Sequence, residues 1–152
     1  MATRSTEYEN LVARGILKAA AKSADSIDQY VKTASDLLAD ARRPSNSPHG
    51  RYLMAYEGLF SLAMAVLEYH GTRPGDGEGH RISALQRFAA DLGFTPGQVK
   101  TLTDAHNLRN ARTYRSPIPP ITGAQVKGVV SLLEAALPKV NEMIAHGSKG
   151  KA

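Results

Sequence analysis

The sequence predicts an all-α protein, an up-and-down bundle of five to six helices. Three observations carry this. Apolar residues recur at three- and four-residue spacing through most of the chain. No convincing run of alternating β-branched residues appears, so no sheet is expected. Proline, glycine and Ser/Thr caps punctuate the periodic segments at intervals that suit helices. The length of 152 residues and an apolar share of 42% suit a single buried core. One domain is expected over residues 1–146, with a flexible basic tail over 147–152.

A first short helix is expected from Thr6 to Lys22, with Leu11, Ile16 and Leu17 as its apolar members and Gly15 as a weak point. A second begins near Ser26, with Asp25 or Ser23 as cap, and its positions Ile27, Val31, Ala34, Leu38 and Ala41 follow helical spacing. Pro44 and Pro48 mark the loop that ends it. The third, roughly Arg51 to Tyr69, carries Leu53, Tyr56, Leu59, Phe60, Leu62, Val66 and Leu67 on both sides, the pattern of a central helix. Its longest apolar stretch, Leu53 to Tyr69, is interrupted by Glu57 and Gly58 and as a helix would be about 25 Å long, too short for a membrane span. His70 at its end is placed to stabilise the helix dipole.

After a glycine-rich turn, a fourth helix runs from about His80 to Leu92, with Gly93 as its C′ residue. Thr95 and Pro96 start a fifth that reaches Tyr114. Three prolines in the four residues 117–120 force an extended segment. Thr122 and Gln125 form a capping-box pair for the last helix, which Pro138 should kink.

Composition narrows the function. The net charge is +5, with a sequence pI of about 9.6, which favours an anionic partner, nucleic acid first. The chain has no cysteine, which excludes a disulfide scaffold, a thiolate zinc site, a cysteine nucleophile and an iron–sulfur cluster. With 6% aromatic residues there is little to build a base-stacking platform. No secretory h-region or membrane span is seen, and a cytoplasmic location is expected. No cofactor or metal site is expected. Asp76, Glu78 and His80 lack helical spacing and a fourth ligand, and the turn around them lacks the Gly-Lys-Ser/Thr end of a phosphate loop.

The fifth helix breaks the binary pattern. At 3.6 residues per turn, Val99 and Leu102 share a face with His106, Arg109, Asn110 and Thr113. Tyr114 lies at the edge of that face, and Arg112 points elsewhere. A guanidinium on an apolar face must be paired or lose several kcal/mol to desolvation. Either Arg109 pairs with Glu57 or Glu68 of the central helix, or it faces an open groove or a dimer seam where it can fork onto an RNA phosphate. Arg112 and Arg115 extend the basic run, as an RNA-binding rim or a solvated surface.

The string LRNARTY, Leu108 to Tyr114, resembles the Arg-Asn signature of the HEPN superfamily. The upstream GRYLMAYEGLFSLAMAVLEYHGTRPGDGEGHR and the opening ENLVARGILK are similar to a bacterial branch of it. The ordered combination, from Glu9 to about Glu142, carries the resemblance. It implies a HEPN-like helical fold, a homodimer, and two motif arginines lining one shared cleft. It also implies RNA as the partner, bound and cleaved by metal-independent transesterification in toxin–antitoxin or phage-defence systems. An antitoxin or a nucleotidyltransferase-type protein would be a further partner. Other members are non-catalytic dimeric scaffolds that bind nucleotides or proteins. In the nuclease members the arginine stabilises the phosphorane, and a histidine that follows it after four to six intervening residues moves protons. Carried onto this chain, Arg109 and Asn110 hold the site. Tyr114 stands in the histidine slot, where a phenol is a poor base at neutral pH. His106, one turn earlier on the same face, is the candidate substitute.

Overall fold

Caps and glycines written in the sequence set most of the element boundaries. The computed structural model describes residues 5–77, 79–114 and 120–149, with the backbone alone for 111–114 and 148–149. Helix α1 spans Thr6–Ala13. It ends at Gly15, whose φ of +74° is a conformation open to glycine. The Ile16 amide donates to the Leu11 carbonyl and the Gly15 amide to that of Val12, the paired bonds of a Schellman stop. The helix expected to reach Lys22 is therefore cut short, and Leu17 is buried in strand β1 (Leu17–Ala19) instead.

Helix α2 (Ala24–Arg42) starts on Ser23, whose Oγ accepts from the Ser26 amide at 3.2 Å. Ser47 caps α3 (Pro48–Tyr69) in the same way, accepting from the Gly50 amide at 3.0 Å. Pro48 sits in the first turn of α3, where a missing N–H leaves no hydrogen bond unmade, so α3 begins earlier than the expected Arg51. Strand β2 (Thr72–Pro74) follows and pairs antiparallel with β1, Lys18 opposite Arg73. This ribbon corrects the expectation of no sheet. Its strands are too short to show alternation and lie far apart in sequence, so periodicity does not reveal them.

Helix α4 (His80–Asp91) closes at Gly93 with a second Schellman stop, and Phe94 packs edge-on against Phe88 at 5.6 Å between ring centroids. In α5 (Pro96–Tyr114) the Thr95 Oγ1 accepts from the Gln98 amide and Gln98 accepts from the Thr95 amide, a complete capping box. Thr122 and Gln125 repeat it ahead of α6 (Gly123–Lys149), which runs through Pro138. That helix extends to Lys149, into the segment expected as a tail, and residues 150–152 lie outside the described residues. The protein is thus an all-α bundle, with six helices and one small ribbon among the described residues.

The core gathers around α3, which touches α2, α4, α5 and α6. Tyr56, Leu59, Leu62, Ala63, Ala65, Val66 and Leu67 are fully buried, as a helix apolar nearly all round requires. A smaller apolar cluster of Tyr8, Leu17, Leu67 and Ala84 seats α1 and β1. There the Tyr8 hydroxyl donates to the Asp91 carboxylate, and the His70 ring stacks on Tyr8 at 4.3 Å. No helix among the described residues is long and apolar enough to cross a membrane.

Gly58 sets how closely α3 meets α6. A Cβ at this position would lie 2.6 Å from Leu133 Cδ2, and Leu133 is itself fully buried. Gly58→Val should therefore overpack the core and lower stability by about 1–3 kcal/mol in urea melts. An unchanged midpoint would mean that Leu133 repacks without strain.

Candidate functional site

The capping box of α5 fixes the register with which its inner face meets α3. Leu102 and Ala105 fill that contact as ordinary core residues. One turn later the apolar face gives way to His106, 7% exposed, and then to the partly buried Arg109 and Asn110. The polar face expected from helical spacing is thus turned toward the central helix.

Each polar group there meets another. The Tyr56 hydroxyl of α3 lies 3.1 Å from His106 Nδ1, and the Asn110 amide nitrogen lies 3.1 Å from His106 Nε2. Arg81, in the first turn of α4, donates from Nε to the Tyr56 oxygen at 2.9 Å. Its Nη2 reaches both oxygens of Glu57, at 3.1 and 3.2 Å. The Arg81 guanidinium lies over the Phe60 ring, 3.6 Å from its centroid. Arg109 Nε stands 3.6 Å from Glu57 Oε1. The contacts form a chain from Arg109 through Glu57, Arg81, Tyr56 and His106 to Asn110, the residue next to Arg109. Three helices are tied by it.

The electrostatics follow from this packing. Burial pushes the His106 pKa below the ordinary histidine value, and the cationic Arg81 and Arg109 push it further down. Burial raises that of the Tyr56 phenol, an effect the neighbouring Arg81 opposes. At neutral pH the pair is therefore an uncharged imidazole and a protonated phenol. A neutral ring has one donor and one acceptor nitrogen, so Tyr56 and Asn110 must take opposite roles toward it. Both nitrogens are engaged by the protein, which leaves His106 holding its neighbours in place.

Of the two carboxylates considered as partners for Arg109, the structure brings up Glu57. Glu68 Oε2 is buried with no hydrogen-bond partner among the described residues. The pairing is not a buried one, since the Arg109 and Glu57 side chains are 38% and 41% exposed. Arg112 and Tyr114 belong to α5, but their side chains lie outside the described residues, as does Arg115 altogether. Tyr56 and Arg81 were not among the residues expected at the site. A hydroxyl on an apolar helix face needs a buried partner, which is the signal Tyr56 carried. Arg81 stands in a first turn, where a cation opposes the helix dipole and so calls for an anion nearby.

The glycine-rich turn is occupied by local contacts. Gly75 donates its amide to the Ile16 carbonyl, Gly77 donates its amide to His80 Nδ1, and Lys18 pairs with Asp76. Among the described residues no group of three His, Asp or Glu side chains could hold a metal ion. No family model matches the chain, and no curated protein matches it.

His70 is the second perturbed histidine. Burial lowers its pKa, against the pull of Asp91. At neutral pH it is an uncharged ring stacked on Tyr8 at the end of α3. For both histidines the folded value lies below the ordinary 6.5, so the unfolded chain takes up protons first as pH falls. Stability should be complete above about pH 6.5 and decline below it, toward the folded-state values, by at most about 1.4 kcal/mol per pH unit for each histidine. Urea melts at neutral pH and near pH 5 would show this, with a smaller decline in His106→Gln. A midpoint that holds or rises on acidification would contradict the arrangement.

Proposed function

We propose that the protein binds RNA through the face that carries Arg109 and Asn110. The observation that supports this most is two guanidinium groups, Arg81 and Arg109, gathered on one half-exposed carboxylate, Glu57. Guanidinium forks suit phosphate oxygens, and a pair of them on a rigid helical frame suits a phosphodiester. The net charge of +5 and the further arginines at 112 and 115 favour the same polyanion. The resemblance of LRNARTY to the HEPN Arg-Asn signature points the same way. In this reading the chain works as a cytoplasmic homodimer with both Arg109 faces on one cleft, beside an antitoxin or nucleotidyltransferase-type partner.

Binding is favoured over cleavage. Transesterification needs a group free to take a proton from the 2′-OH. His106 is buried, and its nitrogens already face Tyr56 and Asn110. Cleavage by the Arg109 site would need that network to open.

A second reading, the non-catalytic scaffold with Arg109 as a structural tie, draws on the same contact with Glu57. Magnitude decides between them. A buried pair broken on one side costs about 3–5 kcal/mol, but an exposed pair is worth about 0–1 kcal/mol. With both side chains more than a third exposed, the second figure applies. The contact with Glu57 by itself is therefore a weak argument for the scaffold.

Arg109→Ala should weaken binding of labelled single-stranded RNA about tenfold at low salt, and lower the slope of log K against log salt by about 0.7. Its melting temperature should stay within about 4 °C of the parent. Equal affinity in the variant would contradict RNA binding at this face. A larger loss of stability with no effect on RNA would favour the scaffold. RNA cut by the parent and spared by the variant would assign transesterification to the site.

A further inference from the structure

Glu57 stands where a phosphate would have to stand. Its carboxylate accepts from Arg81 Nη2 through both oxygens and lies 3.6 Å from Arg109 Nε. A carboxylate and a phosphodiester each offer paired oxygens to a guanidinium fork, so they compete for the same donors.

The two arginines are held differently. Arg81 keeps two contacts that do not involve Glu57: its Nε on the Tyr56 hydroxyl, and its flat face on Phe60. It would keep its orientation with Glu57 gone. Arg109 meets Glu57 at 3.6 Å, beyond hydrogen-bond range, so that contact does not fix it. Glu57 itself is 41% exposed and can turn into solvent, where water replaces its partners.

We infer that Glu57 is a built-in competitor at a two-arginine phosphate site, and that Arg81 is the second phosphate-binding guanidinium beside Arg109. This rests on the RNA reading above and adds its regulation. The incoming phosphate exchanges with the carboxylate. The site is thereby closed to weak monoanions and opens for a polyanion whose neighbouring phosphates also find basic groups.

The test uses the full chain and a short fluorescein-labelled single-stranded RNA. Glu57→Gln keeps shape and removes the competing charge. It should tighten binding roughly fivefold at low salt. Asp36→Asn makes the same charge change on α2, at an exposed carboxylate paired with Lys32 and not with Arg81 or Arg109, and should change affinity less than about twofold. Equal effects of the two variants, or weaker binding by Glu57→Gln, would overturn the inference. The Arg Nε–Hε signals of the unmodified protein provide a readout that needs no variant. Both Arg81 and Arg109 should shift as the RNA is added. A shift of Arg109 alone removes Arg81 from the site but leaves the RNA reading standing. If neither shifts and Arg109→Ala binds as the parent does, the RNA reading itself falls.

Discussion

One carboxylate on the mostly apolar central helix, Glu57, organises the polar side of this protein. Glu57 lies on α3, flanked by the buried Tyr56 and Gly58. Because α3 fills the centre of the bundle, α4 and α5 both pack on it, and each brings an arginine to the same carboxylate. Without that anion, two guanidinium groups would face each other across a small space at the edge of a low-dielectric core. Their repulsion would be felt there more than in water.

The rest of the network answers the same constraint. Arg81 spreads its remaining contacts over Tyr56 and Phe60, which fixes its plane. Tyr56 passes the connection to His106, and His106 to Asn110. Satisfying each buried polar group in turn produces a chain that ends beside Arg109. The half-exposed contact of Arg109 with Glu57 adds little stability, and a guanidinium on a rigid helical frame is well placed to receive an anion. The proposed function grows from that asymmetry.

Much of this was legible in the sequence. The stripe of α2, the Thr95 start of α5, the Thr122–Gln125 capping box and the glycine stop of α4 rest on local chemistry, which one segment carries by itself. The inward turn of His106, Arg109 and Asn110 followed from helical spacing alone, and Glu57 was one of two carboxylates that could answer it. The β1–β2 ribbon was not legible, because its strands are short and are separated in sequence by α2 and α3. Nor was Arg81, which reaches Tyr56 and Glu57 from a separate helix. Its role depends on the angle at which α4 crosses α3, and that is set by packing.

The most direct measurement is a crystal structure of the protein with a short single-stranded RNA. A backbone phosphate is expected within hydrogen-bond distance of the Arg109 guanidinium, with the Glu57 carboxylate turned away from Arg81. RNA bound elsewhere, or Glu57 still bridging both arginines with RNA in place, would contradict it.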